Sequence, residues 1–157
     1  MENLYDLIIV GGGPGGIASA IEASFFSVKK ILLIEKGDNH SQTIRQYYKD
    51  AKRVDRNWQG QNIEFEGNVE FFDGTKESTL EHFESLLDND GIDALFECEA
   101  DRVTKNEEGT FSVVTLKGTF VASIFFTSSV FECKSALIHS NGDCSLISVC
   151  KFLSGAK

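Results

Sequence analysis

Three glycines at fixed spacing, lying between an apolar run and a helix-forming one, restrict what this chain can fold into more than any other feature. Residues 7–16 read LIIVGGGPGG, and Glu35 closes the next apolar run, Ile31 to Ile34. In the GxGxxG arrangement of Gly11, Gly13 and Gly16, the first glycine permits a tight strand-to-helix turn. The second lets the backbone approach a pyrophosphate, and the third lets helix and strand pack closely. The phosphates would sit on the helix N-terminus, where unpaired N–H groups and aligned peptide dipoles favour negative charge. Glu35 would then accept hydrogen bonds from ribose hydroxyls.

Glycine clusters also build ordinary turns, so the flanking sequence decides between the readings. Tyr5 to Val10 is a short apolar, β-branched run suited to a buried parallel strand. Ile17, Ala18, Ala20, Ile21 and Phe25 then form an apolar helical stripe, and Lys29 and Lys30 lead into a second buried strand, Ile31 to Ile34. Strand, glycine turn, helix, strand and acid follow in the order that a dinucleotide-binding βαβ unit requires. The competing reading is a βαβ unit whose glycine turn binds nothing.

At 157 residues the chain is about one domain, long enough to bury a core of its own. Its net charge of −9 argues against a nucleic-acid partner, because such proteins usually present a basic face. No run approaches the roughly 20 apolar residues of a membrane helix, and no basic segment precedes an apolar signal; a cytoplasmic protein is expected. Cys98, Cys133, Cys144 and Cys150 form neither a CxxC nor a zinc-ligand spacing, so reduced thiols are expected. No metal site is predicted.

The segment Asp38 to Gly67 gathers Arg45, Tyr47, Tyr48, Lys49, Lys52, Arg53, Arg56 and Trp58. It reads either as a binding segment near a cofactor or anionic substrate, or as a solvated segment whose aromatic rings cover the edge of the core. Val69 to Phe72, followed by Asp73-Gly74, predicts a strand and turn. A helix follows, with Ser78 and Glu81 at capping-box spacing, Leu80, Phe83, Leu86 and Leu87 on its apolar face and Gly91 placed to end it. His82 on this helix is read as a partly exposed surface histidine.

From Ala94 the apolar period changes to two. Ala94 to Cys98 is a strand candidate that Ala100 to Lys105 continues, with Thr110 to Leu116 and Thr119 to Phe126 as the next two. Turn signals at 106–109 and 117–118 make these a small antiparallel meander beside a parallel sheet. The expected fold is therefore α/β, a Rossmann-like domain carrying a meander.

Taken together, the motifs resemble a family: the thioredoxin-reductase-like branch of FAD-dependent pyridine nucleotide-disulfide oxidoreductases, including bacillithiol-disulfide-reductase-like members. GGGPGG followed by Ala20 matches its FAD fingerprint, GxGxxGxxxA, and YYKDAKRVD, DGTKESTLEHFESLL and the meander resemble the same branch. The likeness covers about residues 4 to 122. It implies FAD as the bound dinucleotide and NAD(P)H as electron donor, with electrons leaving to a disulfide or protein acceptor. By the same resemblance Gly11, Gly13, Pro14, Gly15 and Gly16 contact the pyrophosphate and Glu35 the ribose, while Lys36 and the backbone near Ala100 flank the adenine. The thiol relay does not carry over. The family's CxxC is missing, Gly15 stands where some relatives place a cysteine, and no catalytic side chain is assigned.

Composition breaks after Ala122. Residues 123–157 hold eight serines, against seven in the preceding 122 residues, and only five charged side chains. Where the family carries a strand ending in an ATG-like turn, the sequence reads Ile124-Phe125-Phe126-Thr127-Ser128-Ser129. The expectation is an incomplete FAD-binding domain over residues 1–122 and an atypical, out-of-frame tail over 123–157. An internal deletion is the alternative, because Asn141-Gly142-Asp143 and Cys144 to Leu153 resemble the family's C-terminal flavin-binding turn and helix. A sheet lacking later strands would expose an edge and apolar faces, and would associate through them, for example as a homodimer. Three functions compete: an FAD-dependent NAD(P)H oxidoreductase, a noncatalytic FAD- or nucleotide-binding fragment, and an NAD-dependent dehydrogenase domain.

Overall fold

A computed structural model of the chain describes residues 4–57 and 67–128, together with the backbone of 138–139 and 144–145. Its spine is β1 (Leu4–Val10), followed by α1 (Pro14–Phe25) and β2 (Ile31–Ile34). Then come α2 (Gln42–Tyr47), β3 (Arg53–Val54), β4 (Gly74–Thr75), α3 (Lys76–Leu87) and β5 (Ile92–Leu95). The meander is β6 (Ala100–Lys105), β7 (Phe111–Thr115) and β8 (Gly118–Thr127), with two short strands, β9 (Ile138–His139) and β10 (Cys144–Ser145), beyond it.

β1 pairs in parallel with β2 on one side and β8 on the other, and β2 pairs in parallel with β5. β6, β7 and β8 are successively antiparallel, so the predicted meander is present. It is not a separate sheet, because β8 belongs to both systems. Its residues 118–122 pair with β7, while its residues 121–127 run beside β1. The compositional break at Ala122 thus falls inside a continuous strand.

Side-chain alternation divides the core into two layers, as expected when both faces of a parallel sheet are covered. Leu7, Ile9, Ile31 and Leu33 pack with Ile17, Ala20 and Ile21 of α1 and Leu80 and Phe83 of α3. Ile8, Leu32 and Ile34 point the other way, onto Val113, Phe120 and Ala122 of the meander. The alternation slips once. The Asp6 and Leu7 N–H groups both donate to Lys30 O, and Tyr5 and Ala122 lie on the meander side, whereas Leu7 and Ile124 lie on the helix side. A doubled bond to one acceptor is how an extra residue is absorbed in a strand.

Several expectations need correction. Residues 69–72 form no strand: the Glu22 carboxylate takes the N–H groups of Asn68 and Val69, and Glu70 O bonds His82 Nε2 at 2.8 Å. With these backbone groups satisfied by side chains, the extended pairing shifts to Gly74–Thr75, opposite Arg53–Val54. The cap of α3 lies three residues earlier than the Ser78/Glu81 spacing suggested. Thr75 is the N-cap, and Ser78 at N3 accepts the Thr75 N–H at 2.9 Å, a role glutamate or glutamine usually fills. Gly91 does not end the helix, which stops at Leu87 with Asp88 as its C-cap. Instead Gly91, at φ +101°, starts β5 and passes its carbonyl to Ile31 N.

The strand predicted at Ala94 to Cys98 is Ile92–Leu95, and it joins the parallel sheet rather than continuing into β6. A turn at Glu97, φ +50°, separates the two. Phe25 leaves the apolar stripe of α1 and is exposed, as are Phe26 and Leu116. Trp58 and nearly all of the tail features predicted over 141–153 lie outside the described residues, as do Cys133 and Cys150.

Candidate functional site

The C-terminal ends of β1 and β2, the N-terminus of α1 and the end of β8 converge on the glycine turn. Gly13 is the N-cap of α1, with no side-chain cap, and Pro14 opens the helix. The first turn of a helix carries N–H groups without intrahelical partners. Here those donors belong to Gly13, Gly15 and Gly16, since Pro14 has no N–H, and they suit an anion.

The five glycines of the turn do different work. Gly11 sits at φ +113°, and a Cβ there would meet Ser128 O at 2.7 Å. A Cβ on Gly16 would fall about 1 Å inside the 3.0 Å limit for real Cβ contacts, against the Gly11 carbonyl oxygen. These two glycines therefore serve the protein's own packing. A Cβ on Gly12 would press on Glu35 Cβ at 2.9 Å, and one on Gly15 would approach Ser128 Oγ at 3.3 Å. At Gly13 a Cβ would meet nothing within 4 Å. Open space over an uncapped helix N-terminus is a cradle that an added methyl would fill, and it fits a pyrophosphate.

Glu35 is in place but already occupied. Its Oε2 accepts the Gly12 N–H at 2.7 Å and its Oε1 the Gly37 N–H at 2.8 Å. A carboxylate has about four acceptor sites, so lone pairs remain for a ribose diol. The acid thus has a structural share that the sequence did not announce, holding the N–H groups of Gly12 and Gly37. Lys36 is exposed. Ala100 packs its side chain against the meander-side core, so any contact it makes with a ligand at Glu35 is through backbone. The segment lying beside Glu35 to Gly37 is Glu97-Cys98, whose N–H groups bond Gly37 O at 2.7 Å and Glu35 O at 3.0 Å.

Residues absent from the sequence-based set complete the site. Ser128 joins β8 to the loop through its N–H to Val10 O at 2.9 Å, and its carbonyl and hydroxyl lie over Gly11 and Gly15. No local motif marks it, because it arrives from more than a hundred residues away. His40 and Ser41 are each 1% exposed, and Ser41 N donates to Gly12 O at 2.8 Å. Burial and the Arg45 guanidinium push the His40 pKa down to about 4, with Glu84 opposing. A histidine followed by serine in a polar stretch carries no signal of burial in one dimension.

Arg45, for which the sequence left open a ligand-facing or a solvated place, is turned inward onto Asn39 and His40. Tyr48 packs on the core edge and takes Lys52 Nζ over its ring at 3.4 Å, while Tyr47 is exposed. Cys98 is the one cysteine whose side chain is described; it is free and buried in the core beneath β2. Among the described residues no group of histidine, cysteine and acidic side chains could hold a metal ion, and no helix is long and apolar enough to cross a membrane.

Residues 8–129, which span the whole of this site, match the family model described as pyridine nucleotide-disulphide oxidoreductase. The chain belongs to this family. Solved structures give the same fold. The bacillithiol disulfide reductase of Staphylococcus aureus superposes with a TM-score of 0.61 at 22% identity, covering 82% of this chain and 39% of that one. A ferredoxin-flavin thioredoxin reductase from Clostridium acetobutylicum gives 0.60 at 21% identity, covering 83% and 39%. A cyclohexanone monooxygenase from Rhodococcus gives 0.59 at 18% identity, covering 86% and 28%. Among curated proteins, LodB of Marinomonas mediterranea, named for FAD-dependent oxidoreductase activity, is 50% identical over 34 residues, 22% of this chain and 9% of its own length. The chain spans well under half the length of these relatives. The Rossmann-like, FAD/NAD(P)-binding fold expected from the sequence is the one observed.

Proposed function

We propose that residues 4–128 form the FAD-binding part of an FAD-dependent NAD(P)H oxidoreductase, with the pyrophosphate on the N-terminus of α1. The observation that carries this reading is Gly13: of the turn's glycines it alone meets nothing among the described residues, so its lack of a side chain serves a ligand. Gly15 and Gly16 supply further first-turn N–H groups, and Glu35 receives the ribose hydroxyls on its free lone pairs. When bound, FAD takes hydride from NAD(P)H and passes electrons on to a disulfide or protein acceptor. The described residues orient and enclose that cofactor. They offer no redox thiol pair of their own, since Cys98 is buried in the core without a partner.

A second reading is a nucleotide-binding unit that does not itself turn over; what favours it is that the described residues hold a dinucleotide cradle but no redox thiol pair. Purified protein settles the choice. Yellow protein whose flavin band bleaches with NADPH supports the oxidoreductase. Protein whose melting temperature rises with FAD but which shows no bleaching supports the binding unit. Stabilisation by NAD and not by FAD sinks both in favour of a dehydrogenase-type site.

A further inference from the structure

Two hydrogen bonds hold Gly12 from opposite sides: its N–H by Glu35 Oε2 at 2.7 Å and its carbonyl by the Ser41 N–H at 2.8 Å. The second bond decides more than the position of Gly12. A trans peptide is planar, with its C=O and N–H pointing in opposite directions. Turning Gly12 C=O toward Ser41 therefore sends the N–H of the same peptide unit, that of Gly13, away from Ser41. That donor belongs to the N-cap residue of α1, whose Cβ position is open among the described residues.

Ser41 does not hold its conformation unaided. It lies at φ 53°, ψ 41°, the left-handed region in which few residues other than glycine are found and which persists only where the surroundings impose it. Its hydroxyl does not cap α2, the usual task of a serine at that position, but faces His40 Nδ1 at 3.1 Å. Arg45 wraps the same turn. Its Nε donates to His40 O at 2.9 Å, and one terminal nitrogen lies 2.9 Å from His40 Nε2 and 3.1 Å from Asn39 Oδ1. A guanidinium only donates, so Nε2 is the bare acceptor and Nδ1 carries the hydrogen that Ser41 Oγ receives. The neutral imidazole is thus used at both nitrogens, in a line from Arg45 to Ser41. Arg45 faces it from α2, and Phe83 and Glu84 face it from α3.

We propose that His40 and Arg45 are a positioning pair that locks Ser41 against the Gly12 carbonyl and so aims the Gly13 N–H at the pyrophosphate of the bound dinucleotide. The proposal rests on the reading of the glycine turn as the FAD site. It assigns a role in nucleotide binding to two side chains of the Asp38 to Gly67 segment that lie beneath the loop. They act through the backbone of Ser41.

The test measures binding of FAD, ADP and adenosine to the full chain at pH 7.5, with melting temperatures of the cofactor-free proteins alongside. His40→Phe fills the same space without an acceptor, and Arg45→Met keeps the stem without donors. Each is expected to weaken FAD and ADP binding tenfold or more while adenosine, which lacks the phosphates, changes less than twofold. His40→Gln, whose amide oxygen can accept from Arg45, is expected to restore FAD affinity to within threefold of wild type. Equal losses for ADP and adenosine, or unchanged ADP affinity in a folded variant, would overturn the role of the pair. If His40→Phe does not fold, Arg45→Met carries the same comparison. Failure of the wild-type chain to bind FAD or ADP would instead overturn the site assignment beneath the proposal.

Discussion

Two alanine substitutions in one turn should separate structure from binding. Gly16→Ala places a methyl about 1 Å inside the 3.0 Å limit against the Gly11 carbonyl oxygen, a backbone atom that cannot swing aside. Overpacking of this kind costs about 1–3 kcal/mol, and the rigid partner puts this case near the upper end. Alanine's better helix propensity returns at most about 1 kcal/mol. The net loss, about 2 kcal/mol, should lower the melting temperature by roughly 4–8 °C for a domain of this size. Gly13→Ala meets nothing within 4 Å, and its φ of −77° is one that alanine adopts freely. A poorer N-cap and a stiffer unfolded chain roughly cancel, leaving stability within about 0.5–1 kcal/mol of wild type. Its methyl does stand where the pyrophosphate must approach, so FAD and ADP affinity should fall tenfold or more. Thermal melts of the cofactor-free proteins and titrations with FAD and ADP give both quantities. A Gly13→Ala protein that melts as low as Gly16→Ala, or binds FAD as well as wild type, would refute the division of labour.

Glu35→Ala should be a mixed variant, because it strips the Gly12 and Gly37 N–H groups of their acceptor as well as removing the ribose contact. A stability loss of about 1–3 kcal/mol should accompany weaker FAD binding, and an unchanged melting temperature would contradict the geometry. His40 makes stability depend on pH. Its folded pKa, about 4, lies below its ordinary value of 6.5, so the unfolded chain binds more protons between them. Its contribution is complete above pH 6.5 and is lost as pH falls toward 4, a loss on the order of 2 kcal/mol by pH 4.5. Urea unfolding of wild type and His40→Gln at pH 7.5 and 4.5 should show this extra acid sensitivity in wild type alone. Thr79 Oγ1 on α3 is buried with no hydrogen-bond partner among the described residues. Thr79→Val should therefore leave stability unchanged or raise it by up to about 1 kcal/mol, and a loss above 1 kcal/mol in the same unfolding assay would reveal an unrecognised partner.

The legible part of the site was the part carried by neighbours in sequence. The GGGPGG turn, the apolar runs around it and Glu35 lie within one βαβ unit, where spacing and periodicity suffice. The segment 69–72 departs from the sequence expectation because side chains distant in sequence take its backbone groups, whereas the cap of α3 moves to Thr75 through a local partner, Ser78. Glu22 takes the N–H groups of Asn68 and Val69, and His82 bonds the carbonyl of Glu70, which no local pattern announces. Arg45 reads as a surface cation by composition, yet its guanidinium is spent on the backbone and side chains of Asn39 and His40.

What the sequence alone determined is therefore the class of ligand and the frame that meets it: a glycine turn between a buried strand and a helix, an acid at the end of the next strand, and a meander behind. These follow from local backbone freedom and the period of apolar residues. Only the tertiary structure decided which glycine of the turn is left open among the described residues and which are closed by the protein's own atoms. It also brought Ser128 and Ser41 onto the turn, and it spent two acceptor sites of the Glu35 carboxylate on the loop's own N–H groups. Each of those is a close approach between separate segments of the chain, set by how β8 runs beside β1 and how α2 packs on α3 rather than by any residue's own preference.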